Sequence, residues 1–206
     1  MGAGGRDQDF ELLDRWQSGD AAAGNELFEG YFDDIYRFFS NKTTDPAELV
    51  QRTFLGCVEA RDRFKRSSSF RTYVFSVARN VLYGHYREKR KGQLNVAIST
   101  MQDLNPTPSS LAHRKWEERL LLEALRSIPI EFQTTLELYY WQNLSGPELA
   151  EVLEIPLGTA RSRVRRAREA LAARVAELEG EPGRLGSTLA ELDDWARGLR
   201  AALNEG

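Results

Sequence analysis

The chain has 206 residues, 41% of them hydrophobic, enough to bury a core in one or two domains. One cysteine, Cys57, and two histidines, His85 and His113, exclude a disulfide framework and leave too few soft ligands for a structural zinc site. The net charge of −3 conceals a segregation into blocks: −7 over residues 1–60, +8 over 61–92, −5 over 93–156, +5 over 157–174 and −4 over 175–206.

In chain order, nearly everything reads as helix. Phe10, Leu13 and Trp16 stand at helical spacing over residues 8–18, and Leu27, Tyr31, Ile35 and Phe38–Phe39 give a broad apolar stripe over 21–40. Asp45 before Pro46 marks a helix start, which Leu49, Val50, Phe54 and Val58 carry to about residue 61. The stretch RDRFKRSSS reads as a loop. From Phe70 a long helix resumes, with Val74, Val77 and Val81 inward and Leu82 beside them, ending in YREKRKG.

Residues 92–113 hold two prolines and no sustained period, and read as a flexible tether. Leu121, Leu125 and Ile128 then give a helix stopped by Pro129, and Phe132, Leu136 and Tyr139–Tyr140 a second. Ser145 with Glu148 three residues later is a capping box, so another helix starts there, with Leu149, Val152 and Leu153 facing its core. The turn IPLG follows. The last helix puts Ala160, Val164, Ala167, Leu171, Val175 and Leu178 within an arc of about 80° at 100° per residue. Arg161, Arg163, Arg165, Arg166 and Arg168 all fall outside that arc, with Glu169 as the one intrahelical acid available to them.

Two short helices joined by a tight turn, the second basic outside, form a helix-turn-helix. Thr159, Arg161, Ser162 and Arg165 occupy the first two turns, the part that meets base edges in a major groove. Arginine suits guanine there because its planar fork gives two hydrogen bonds at once. Arg163, Arg166 and Arg168, to the sides, are expected on phosphates. Residues 181–206 form a further amphipathic helix after a Pro/Gly break, which either packs back on its domain or serves a regulatory partner.

The stretch LLEALRSIPIEFQTTLELYYWQNLSGPELAEVLEIPLGTARSRVRRAREAL resembles the fourth conserved region of bacterial sigma factors of the extracytoplasmic-function (ECF) group. ELVQRTFLGCVEARDRF and SFRTYVFSVARNVLYGHYREKRK resemble their second region. The resemblance implies an all-α protein of two helical domains: region 2 over 8–91, a linker over 92–113, region 4 over 114–180 and a C-terminal extension helix over 181–206. It implies a subunit that brings core RNA polymerase to promoter DNA, reading a duplex minus-thirty-five element and a single-stranded minus-ten element. The loop Phe64, Lys65, Arg66, Ser67, Ser68 and Ser69 would capture a flipped base, with Arg71, Arg79 and Asn80 nearby and Arg87 on backbone. Phe70, at core spacing, is read as packing.

By the same resemblance Asp45, Glu48, Leu49, Gln51 and Phe54 would dock on a basic coiled coil of polymerase. Ala47 and Arg52 stand where the family tends to carry acids. A phosphoryl group on Thr53 would restore negative charge there, with Thr43 and Thr44 as alternatives. Either a serine/threonine kinase or an anti-sigma factor would then control the protein. A polymerase-independent helix-turn-helix regulator is the other reading. Neither an enzyme nor a cofactor is expected, because no nucleophile–base pair, phosphate loop or metal-ligand spacing occurs. A cytoplasmic location without membrane insertion follows from the absence of an apolar run near the roughly 20 residues a span needs.

Overall fold

The computed structural model describes residues 3–64, 68–91 and 116–179. The chain divides into two compact units, 1–94 and 95–206, and the described residues are all-helical, without strands. The tether 92–113 and the extension helix 181–206 lie outside the described residues.

Unit 1 holds α1 (Ala3–Gln17), α2 (Ala21–Ser40), α3 (Pro46–Glu59) and α4 (Phe70–Lys91). Gly19, at φ 102°, turns the chain after α1, and the Asp20 carboxylate accepts from the Ala22 and Ala23 amides to start α2. The two helices approach closely because Gly24 lies against Trp16; a Cβ there would come within 2.4 Å of the indole. The expected stripe Leu27, Tyr31, Ile35, Phe38 and Phe39 is buried throughout. Asp45 caps α3, accepting from the Glu48 amide at 3.0 Å, with Pro46 in the first turn. Lys42, fully buried, donates to the Phe38 carbonyl and sits 4.1 Å over that ring, placing its charge at the α2 C-terminus.

Two stripes differ in detail from the expected ones. On α3 the buried set is Leu49, Val50, Thr53 and Cys57, and Val58 turns outward. On α4 the buried apolar residues are Phe70, Val74, Phe75, Ala78 and Leu82, with Val77 and Val81 half-buried at their flank. Burial pushes the Cys57 thiol up to about 12.

Unit 2 holds α5 (Trp116–Ser127), α6 (Ile130–Leu136), α7 (Gly146–Val152) and α8 (Leu157–Glu179). Leu121, Ala124, Leu125 and Ile128 of α5, Leu136 of α6, and Ala167 and Leu171 of α8 make its core. After α6 the helix widens into a π turn over Glu137–Trp141. The extra residue rotates Leu138 into the core and leaves Tyr139 exposed, against the expected inward pair, while Tyr140 packs half-buried against the core as expected.

The capping box at Ser145 and Glu148 is complete in both directions. The turn behind α7 is a Schellman motif: the Ile155 amide donates to the Ala150 carbonyl and the Glu154 amide to that of Glu151, both at 3.0 Å. Its left-handed residue is Glu154, at φ 54°, where glycine is the usual occupant. The turn therefore ends at Pro156, and Gly158 belongs to the first turn of α8.

Candidate nucleic-acid interface

Helix α8 is built outward from its core stripe. Ala160, Ala167 and Leu171 are buried and Val164, Val175 and Leu178 half-buried, so the apolar arc read from the spacing is the inward one. On the other side Arg161, Arg165 and Arg166 are exposed, while Thr159, Arg163 and Arg168 are half-buried. Arg165 pairs with Glu169 at 2.8 Å yet keeps 68% of its side chain in solvent. Arg166 turns its Nε toward the Ser162 carbonyl at 3.4 Å. The Ser162 hydroxyl donates to the Thr159 carbonyl at 2.9 Å, which leaves it only acceptor capacity toward a base. The first two turns thus present two solvent-exposed guanidinium groups, Arg161 and Arg165, the latter with one nitrogen on Glu169.

Helix α4 treats its arginines differently. Arg79, expected on the base-reading side, is only 4% exposed, so it is not a direct nucleic-acid contact. Its outward position is lost because it lies beside Ala78 at the edge of the buried stripe, and its guanidinium donates to Asn80 Oδ1 at 2.6 Å. Arg71 is half-buried, with its guanidinium 5.8 Å from the Phe75 ring centre. Burial raises the Asp9 carboxyl above its ordinary value, a shift that the Tyr31 hydroxyl and the nearby charge of Arg71 oppose. Asn80 and Arg87 are exposed.

The loop before α4 is described at Phe64, Ser68 and Ser69. Ser69 is occupied in capping α4: its Oγ accepts from the Thr72 amide at 3.1 Å and shares a hydrogen bond with the Thr72 hydroxyl at 2.7 Å. Phe64 is half-buried, 4.7 Å from the Tyr73 ring and 6.3 Å from Phe70, which is itself in the core. Ser68 is half-buried, and Lys65, Arg66 and Ser67 lie outside the described residues.

On α3, Asp45, Glu48 and Gln51 are exposed, with Asp45 committed to its cap. Leu49 is 0% exposed and belongs to the core, so it offers no docking surface. Phe54 is half-buried and stacked on Phe28, 4.9 Å between ring centres. Thr53 is likewise 0% exposed, its hydroxyl donating to the Leu49 carbonyl at 2.7 Å. A kinase cannot reach it without opening the helix pair, so Thr53 is not the phosphorylation site that the sequence suggests. Arg52 is neutralised within the fold, 3.8 Å from Glu48 and 3.4 Å from Glu88 of α4.

A family model described as Sigma-70 region 2 matches residues 27–92, and one described as Sigma-70, region 4 matches residues 118–171. Together they span more than half of the chain. The chain belongs to the sigma-70 family. It is 25% identical over 183 residues to the ECF RNA polymerase sigma-E factor of Haemophilus influenzae, covering 82% of this chain and 96% of that protein. It is 27% identical over 180 residues to the RNA polymerase sigma-H factor of Pseudomonas aeruginosa, covering 81% and 93%. The fold is shared with the sigma factor RpoE of Bartonella quintana, solved in complex with the anti-sigma factor NepR, at a TM-score of 0.57 and 21% identity over 77% of this chain and 97% of that one.

Within this sigma-70 chain, reading the sequence missed the surface carried by large apolar side chains. Of the five exposed ones among the described residues, Phe32, Tyr36, Leu55 and Val58 lie on α2 and α3 of region 2, and Tyr139 lies in unit 2. Phe32 and Tyr36 stack on each other, 6.0 Å between centres. The signal was available, since Leu55 falls off the stripe set by Val50, Thr53 and Cys57.

Proposed function

We propose that the chain binds core RNA polymerase through α3 and the adjoining face of α2, and directs it to promoters. Unit 1 takes unpaired minus-ten bases and unit 2 a duplex minus-thirty-five element. The observation that carries this reading is the display in solvent of Leu55 and Val58 on the face of α3 that also carries Glu48 and Gln51, with Phe32 and Tyr36 exposed on α2. Exposed apolar groups beside an acidic residue suit a protein partner with a basic rim, a contact that binding duplex DNA does not itself require. Arg52, held between Glu48 and Glu88, adds little net repulsion toward such a partner.

Control by threonine phosphorylation would act at Thr44. It is exposed just before the Asp45 cap, whereas Thr43 is half-buried with its hydroxyl accepting from the Asp45 amide at 3.2 Å. A phosphoryl group at Thr44 would bring about −1.5 to −2 charge to the start of α3. An anti-sigma factor, the partner class of the Bartonella quintana protein, would act in the opposite sense by covering Leu55 and Val58.

The deciding experiment is a gel shift on promoter DNA with and without core polymerase. A specific shift that needs polymerase, and that Leu55→Lys abolishes while α8 stays intact, supports the reading. A specific shift by the chain alone, unchanged by polymerase and by Leu55→Lys, refutes it. Core binding by Thr44→Ala, Thr44→Glu and kinase-treated protein tests the control; equal binding by all three removes it.

A further inference from the structure

We infer that Arg79 is a positioning residue that locks the Asn80 amide with its NH2 outward, making Asn80 a reader of keto bases. The inference rests on the reading of unit 1 as the part that meets unpaired bases. Arginine carries donors only, so the atom of Asn80 that it faces at 2.6 Å must be the carbonyl oxygen. Arg79 is packed into the fold. It is nearly fully buried, and its guanidinium lies 6.0 Å from the Tyr83 ring centre. A charge-assisted hydrogen bond in such surroundings is shorter and stronger than a neutral one, so the amide has a strong preference against flipping.

That orientation fixes what Asn80 can recognise. A free asparagine reads adenine with both ends of its amide, accepting from N6 and donating to N7. Here the carbonyl is engaged and the exposed end offers two donors. Guanine and thymine present a carbonyl oxygen where adenine and cytosine present an amino group, so an outward NH2 pairs with the first two and meets donor against donor with the others. There is room for the base. Gly84 lies one turn along the same face, and a Cβ built on it would meet nothing within 4 Å. Arg87, a further turn on and exposed, stands where a phosphate of the same strand can be held.

The test uses the full chain with core polymerase and a promoter library randomised through the opened segment, selected for open complexes. Wild type is expected to favour guanine or thymine over adenine or cytosine at one position by roughly tenfold. Asn80→Asp keeps a partner for Arg79 but turns an acceptor outward, and inverts the preference at that position alone. Arg79→Lys, still offering only donors, retains the wild-type preference; Arg79→Met lets the amide flip and loses the discrimination while other positions keep theirs. Melting temperatures of each variant separate these outcomes from unfolding. Open complexes with the wild-type preference unchanged in Asn80→Asp overturn the inference alone. Failure of the wild type to open any promoter with polymerase takes down the reading of unit 1 and this inference together.

Discussion

Helix α4 draws Arg79 beneath its surface and aims it at Asn80, whereas helix α8 leaves Arg161, Arg165 and Arg166 in solvent. The contrast matches the two forms of nucleic acid proposed for the units. A duplex offers a regular lattice of phosphates and base edges, and long mobile cations can adapt to it. A lone base offers only its own edge, and the group that reads it must be held still before it arrives. Burial of an arginine with a partner is one way to achieve that rigidity, and solvent exposure is the way to keep reach.

The contrast can be broken first on its buried side. Arg79→Ala removes a charged, hydrogen-bonded group from the interior and lowers the stability of unit 1 by about 2–3 kcal/mol, read from thermal melting. Arg166→Ala on α8, by comparison, moves melting by no more than about 0.5 kcal/mol. Gly24→Ala attacks unit 1 without touching any candidate contact. The new methyl group must displace the Trp16 indole, at a cost of about 1–3 kcal/mol in the same melt.

On the displayed side the readout is DNA. Arg161→Ala and Arg165→Ala each lose about 1–3 kcal/mol of discrimination between a target duplex and a single-base variant, measured by competition binding with polymerase present. Equal losses on target and random duplexes would move both residues to the phosphate class. Arg166→Ala weakens binding evenly and flattens the dependence of log affinity on log salt by about one unit. The smallest effect sharpens the comparison: Glu154→Gly relieves the left-handed residue of the Schellman turn and stabilises unit 2 by about 0.5–1 kcal/mol.

The elements of both units were legible because their signals are local. Asp45–Pro46, the Ser145–Glu148 box and the 4-3-4-4-3 spacing of α8 each specify a helix within a few residues. Burial at the edge of a stripe is less local. Arg79 adjoins Ala78, and only the packing of α4 decides whether a residue there lies under or over the surface. Thr53 was the more avoidable error, since it stands four residues from both Leu49 and Cys57, both in the core. The π turn at Glu137–Trp141 has no sequence signature, because one extra residue in a turn changes the facing of its neighbours without changing their types. Glu154 stands where glycine would have marked the helix-turn-helix corner, so the sequence places that corner at IPLG, slightly downstream of the left-handed residue.

The thiol of Cys57 has a use that none of the nucleic-acid contacts provides. It is the chain's one cysteine, fully buried on α3, and burial raises it to about 12. At neutral pH a small alkylating reagent therefore finds neither access nor thiolate in the folded molecule, and each modification event records a moment when unit 1 had opened. Unit 2 contains no cysteine to blur that record. The rate of alkylation is thus a clock for the loosening of one half of the molecule. It can be followed in the free protein, with polymerase added, and again on opened DNA, to find which partner slows it.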